Sequence, residues 1–315
     1  MALPTVNDVQ AVDPVLTNLL LGYMQADTRF VASKVFKPIP GDKDSGTYYI
    51  FTKKYWFLDE MKRRAPGSQF ARAGYGVETN TYTTVQWGLE HPIPDEARAN
   101  SQVPMDLEEA GLRWLATQSN IRKERAWAAD FMKASVWDNQ DNDAATDWDD
   151  FSAGDPVNDI LSGKKTVSDA TGVDANALVL GLIVHNALIN HPDVLDRVKY
   201  TTQATQGNLE AALAALLGVE QYLVGRASYN IANEGATFSG AAIIDDDALL
   251  CHVPPNPGIL VPASGYSFYW QPGGGLGAAD SYYEKSTKST ILQHSEQWDH
   301  VVVAADLGYL WLGIV

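Results

Sequence analysis

The run Gly163, Lys164, Lys165, Thr166 has the residue types of a loop that cradles phosphate. Such a loop needs a glycine five residues ahead of its last glycine and a Ser or Thr directly after the lysine. Asn158 holds the first place and Lys165 the last, and the segment reads as helix interior, so a nucleotide site is set aside. Gly273, Gly274, Gly275 and Gly277 lack the strand–helix frame of a dinucleotide turn and read as a flexible loop. No G-x-S-x-G elbow occurs. None of His91, His185, His191, His252, His294 and His300 stands four residues from another, as a zinc-binding helix requires, so they read as structural histidines. The acidic run of Asp138, Asp141, Asp143, Asp147, Asp149 and Asp150 is broken by Ala144 and Ala145, and no glycine precedes Gly154. It therefore reads as a solvated linker rather than a calcium loop. Asp245, Asp246 and Asp247 fit a turn between strands. A metal-dependent hydrolase drawing on the acidic run with His185 or His191 is the enzyme alternative. No acid–base or nucleophile constellation supports it. The reading is no enzyme, with no catalytic, cofactor or metal residues.

One basic cluster remains. Lys62, Arg63, Arg64 and Arg72 stand in a chain of 315 residues with 23 Lys+Arg against 39 Asp+Glu, a net charge of −16. That balance excludes a protein that grips nucleic acid, because neutralising phosphate needs a basic surface. It also makes a positive segment a candidate contact with an acidic surface, a second copy of the same chain included. Trp56 and Phe57 beside it would supply contact area. Thirty-two aromatic residues (9 Trp, 14 Tyr, 9 Phe) exclude a disordered acidic chain. The single cysteine, Cys251, excludes an internal disulfide framework. No apolar run approaches the roughly 20 residues of a membrane span. The N-terminus has no basic, apolar leader pattern, so no secretory signal is expected.

The elements that would position the basic cluster follow from pattern. Residues 1–40 read as an arm, with an amphipathic stretch from Val15 to Met24 and then Pro38 and Pro40. Residues 46–55 are rich in aromatic and β-branched types, and 81–89 alternate Thr81, Thr83, Val85, Trp87 and Leu89, so the two are expected to pair as strands. The stretch between them is too long for a tight turn and carries the basic residues at its tip. A helix of roughly twice the usual length is expected from Pro104 to about Ser135, with Asp106, Glu108 and Glu109 near its start. Asp155 and Pro156 open another helix that Gly172 closes. Ala177 to Gly181 reads as a buried strand and is followed by a helix with His185 and Leu188. Asn208 caps a helix that ends at Gly218. The last sixteen residues read as strand to the end.

This order of elements resembles the major capsid protein of tailed bacteriophages, the Hong Kong 97-type fold. The segments His185 to Tyr200 (HNALINHPDVLDRVKY), Leu213 to Glu220 (LAALLGVE) and Tyr222 to Gly235 (YLVGRASYNIANEG) are similar to the central region of one branch of that family. The resemblance implies an α+β fold divided into an N-terminal arm (1–40), an extended two-stranded loop (41–95), a peripheral domain with a spine helix (96–135 plus 283–315) and a mixed α/β axial domain (136–282). It implies self-assembly as pentamers and hexamers into an icosahedral shell around double-stranded DNA, in a virion put together in the host cytoplasm. A separate scaffolding protein and a portal are the expected partners, with room for a decoration protein. About 100 residues precede the spine, too few for a cleaved scaffold segment. Trp56, Phe57, Lys62, Arg63, Arg64 and Arg72 are the expected contact residues between copies. An encapsulin-like nanocompartment, which shares the fold, is the nearest alternative.

Overall fold

A computed structural model describes residues 28–51, 53, 57–100, 107–141, 147–199, 209–258 and 261–315. The stretch from Val15 to Met24, and Trp56, Pro104, Asp106, Asp143 and Asn208, lie outside the described residues. Two five-stranded sheets organise the chain.

The first sheet is built on β13 (Ser289–Val302), fourteen residues long. Along one edge it pairs with β4 (Val85–Pro94). Along the other it pairs first with β12 (Ala278–Glu284) and then with β11 (Gly265–Trp270). The edge strand β1 (Lys37–Gly41) runs parallel to β11. Pro38 and Pro40 sit on this edge, where a missing N–H costs no ladder hydrogen bond. The second sheet has the order β5 (Asn139–Asp141), β14 (Gly308–Trp311), β10 (Ala248–Cys251), β6 (Ala177–Gly181) and β7 (Gln221–Gly225). All five β6 residues are buried, as expected of a strand covered on both faces.

A 25-residue helix joins the sheets. After the short helices α1 (Ala32–Val35) and α2 (Asp95–Asn100) comes α3 (Leu107–Phe131), the expected spine. Leu112, Leu115 and Ala116 in its first half pack on Ile93, Ala279 and Leu292 of the first sheet. Trp127, Ala128 and Phe131 in its second half pack with Val179, Leu249 and Cys251 of the second. The far face of the second sheet is covered by α4 (Pro156–Thr171), α5 (Leu182–Asn190), α6 (Pro192–Lys199) and α7 (Leu209–Leu217). The ends of α4 follow from sequence: Asp155 accepts the Asn158 N–H at 3.1 Å, Pro156 takes the first turn, and Gly172 adopts φ +66°.

Three readings change. The 81–89 strand is two strands: β3 (Val77–Thr83) pairs with β2 (Ser45–Phe51), and after Thr84 the chain becomes β4 and pairs with β13. The last residues are not one strand either. β13 ends in the first sheet, a 3-10 turn follows at Ala305–Leu307, and β14 enters the second sheet. β11 and β12 thus lie in the first sheet beside the spine, and β14 lies in the second. The glycine cluster is a tight, buried turn rather than a flexible loop. Gly274, Gly275 and Gly277 have φ of +113°, +58° and +149°, and a side chain on Gly273 would collide with Gln297. Gly163 lies inside α4, where the Trp311 ring leaves no room for a Cβ, and Lys164 donates to the Leu217 carbonyl at the end of α7.

Candidate assembly surface

The β2–β3 excursion has a fixed base. The Tyr82 ring stacks on Phe268 of β11 at 4.2 Å and 6° between planes, and Tyr48 stacks on the same ring at 5.7 Å. Tyr48 also donates to the Val302 carbonyl. Burial raises the Tyr48 hydroxyl above its ordinary range, so it stays a donor at neutral pH. Gly41 and Gly46 admit the Tyr82 hydroxyl, since a Cβ on either would come within 2.6 Å of it. Thr84 marks the exit: its N–H and hydroxyl both donate to the Asp44 carbonyl at 2.8 Å, and Gln297 donates to its hydroxyl at 2.9 Å. Lys53 adds a 2.6 Å ion pair with Asp306. Sequence reading did not single out Tyr48, Tyr82 or Phe268. Their signal was aromatic residues alternating along neighbouring strands.

The tip is different. Residues 58–75 are all exposed, and none of them is in a helix or strand. Met61 is 92% exposed, Phe70 74% and Leu58 56%. Pro66 and Gly67 make the reversal: Ser68 N–H donates to Ala65 O at 3.1 Å with Gly67 at φ +82°, the residues a type II turn demands. Arg64 staples that turn, donating from Nε to Ser68 O at 2.5 Å with its guanidinium 4.3 Å above the Phe70 ring. Of the expected contact residues, Lys62, Arg63 and Arg64 are thus consecutive on the outgoing limb, with Arg72 on the return. Phe57 lies nearer the body. Its ring packs against Gly172 and would sit 3.2 Å from a Cβ there, while 63% of the residue stays exposed.

Charge under the spine is handled the other way. Lys123 pairs with Glu296 of β13 and donates to the Leu276 carbonyl at 3.0 Å, and Ser119 donates to Glu296 at 2.9 Å. Burial pushes the Glu296 carboxyl up, but His294 and Lys123 outweigh it and hold it below the usual carboxylate range. Glu124 accepts the N–H groups of Val31 and Ala32 at 2.8–3.0 Å, capping α1. His300 is buried among Trp298 and Phe36, and desolvation, with Lys123 adding to it, pushes it down to about 4.

The remaining candidates for chemistry are dispersed. His185 meets the Tyr222 hydroxyl at 2.9 Å, His252 the Asp174 carbonyl at 2.8 Å, and His91 stacks near Trp114. Among the described residues no three His, Cys, Asp or Glu side chains converge to hold a metal. Asp245 to Asp247 lie in the bent connection between β9 (Gly240–Ala242) and β10. Asp247 accepts the Gly313 N–H at 3.1 Å, and burial, with Asp246 and Asp245 beside it, raises its carboxyl to about 6. No described helix is long and apolar enough to cross a membrane.

No family model matches the chain. It is 25% identical to the major capsid protein of Burkholderia phage BcepMu over 97% of both chains. A phage-related protein from Bordetella bronchiseptica RB50 superposes with a TM-score of 0.75 at 25% identity, over 97% of this chain and 98% of that one. The mature capsid of bacteriophage PhiM1 shares the fold, with a TM-score of 0.56 at 13% identity over 88% of this chain and 84% of that one. This is a phage major capsid protein of the Hong Kong 97-type fold. The capsid protein is a structural component of the virion's icosahedral shell and not an enzyme.

Proposed function

We propose that the capsid protein assembles as pentamers and hexamers around double-stranded DNA, and that the β2–β3 excursion is the loop by which one subunit holds the next. One observation carries this: an excursion pinned at its base by two stacked tyrosines ends in a tip that buries none of its apolar side chains. A two-stranded ribbon is marginal alone in water, so such a tip is built to be covered. On this reading the sheet beneath the spine is the peripheral domain and the second sheet the axial domain. The net charge of −16 suits an inner wall that repels packaged phosphate. A separate scaffolding protein and a portal complete the expected partners, with assembly in the host cytoplasm. The full-length match to a phage capsid protein favours this reading over a nanocompartment shell.

The test is removal of residues 57–78, joined by a short glycine–serine linker, followed by electron microscopy and sedimentation of the product. The expected result is a folded subunit that forms no closed shells. Normal shells from the trimmed chain would sink the reading.

A further inference from the structure

A groove of about 400 Å³ runs between the second half of α3 and the base of the hairpin of β8 (Ser228–Asn230) and β9. Arg122 and Arg125 line it, three residues apart on one helix face. The Arg122 guanidinium lies 3.9 Å over the Trp87 ring and that of Arg125 4.1 Å over Tyr229. Neither meets a carboxylate among the described residues, although the chain carries sixteen more acidic than basic side chains. The rings orient the guanidinium planes and leave their edge donors free, the arrangement that receives a carboxylate in bidentate fashion. Further along α3 the lining is apolar at Ala126 and Ala129 and then acidic at Asp130, which also pairs with Lys133 at 3.6 Å, while Ile243 and Asp247 line the groove from outside the helix.

The loop carries the mirror pattern. Asp59 and Glu60, then Met61, then Lys62 and Arg63 follow in sequence, all exposed and without an ion pair among the described residues. From the middle of the acidic pair to the middle of the basic pair is three residues, at most ~10 Å of extended chain. From between Arg122 and Arg125 to Asp130 is six to seven helical residues, also ~10 Å at 1.5 Å each. Signs and spacing match.

We infer that this groove is the receptor for the loop of a second copy, with Asp59 and Glu60 on Arg122 and Arg125, Met61 against Ala126 and Ala129, and Lys62 and Arg63 toward Asp130 and Asp247. The inference rests on the proposed role of the loop and adds the surface that receives it. A desolvated pair of this kind fixes register as well as affinity.

The experiment uses the full chain under conditions in which the unaltered protein gives particles. Arg122→Glu with Arg125→Glu is expected to raise the concentration needed for shells by roughly tenfold or more, the size of one good interfacial charge pair. Asp59→Arg with Glu60→Arg, on an exposed loop that cannot unfold the body, is expected to do the same. All four changes together restore the pairing with reversed sign, and shells return. Shells at unchanged concentration from either reversal, or no recovery in the fourfold variant, overturns the assignment. If the loop-trimmed chain fails to assemble while the arginine reversal assembles normally, the receptor is wrong and the loop's role stands. If the trimmed chain assembles, the loop's role falls first.

Discussion

The spine and the loop tip hold charged side chains in opposite circumstances. Under the spine, Lys123, Glu296 and Glu124 are almost wholly buried, and each is matched by partners within its own subunit. At the tip, Asp59, Glu60, Lys62 and Arg63 are exposed and meet no opposite charge among the described residues. A buried ion must be satisfied inside the molecule or the fold is lost, whereas an exposed one can wait for another molecule. The first group therefore belongs to folding, and on the proposed reading the second belongs to assembly.

The largest test of that division is a matched pair of variants. Lys123→Met strands Glu296 and is expected to cost the isolated subunit ~3–5 kcal/mol. Lys62→Met is expected to change it by less than ~0.5 kcal/mol. Urea titration of both decides, and equal losses would erase the distinction. The next effect is pH dependence. His300 ionises at about 4 when folded but near 6.5 in an unfolded chain, so between those values the unfolded state binds more protons. Stability then falls as pH drops through 6.5 toward 4, by up to about 3 kcal/mol. Asp247, raised to about 6, works against it, because the folded state gains its proton first. Melting temperatures of unassembled His300→Asn should gain on those of the parent as pH falls from 7 to 4, because the loss at His300 is removed while the gain at Asp247 remains, and a difference that does not change with pH would acquit His300. The smallest effect is at the seam between body and loop. Gly172→Ala meets both a φ of +66° and the Phe57 ring, and should cost ~1–2 kcal/mol by thermal melting.

What the sequence displayed were the features that local chemistry encodes. α4 was legible because Asp155, Pro156 and Gly172 act within a few residues of themselves. α3 was legible because acidic residues such as Glu108 and Glu109 gather near its start and no proline interrupts the run that follows. The split at Thr84 was not: a strand that changes partner keeps its alternation, so 81–89 looks continuous. The break before β14 was hidden for a related reason, since Ala304 and Ala305 continue the apolar run and only Asp306 and Gly308 mark the turn. The Pro66–Gly67 reversal did carry a signal in its residue types. Arg122 and Arg125 read as ordinary basic residues late in a helix. Only the tertiary arrangement shows that their neighbours are rings rather than carboxylates.

The junction at Thr84 has a mechanical consequence. The strand leaving the loop passes through that single residue into β4, whose ten positions are zipped to β13 from Val85–Trp298 to Pro94–Ser289. Tension on the loop travels along covalent backbone into this ladder, which includes the positions of Glu296 and His294 beneath the spine. If the loop docks as proposed, it is a lever with Thr84 as its fulcrum, and a subunit seized by its neighbour feels the load in its own interior.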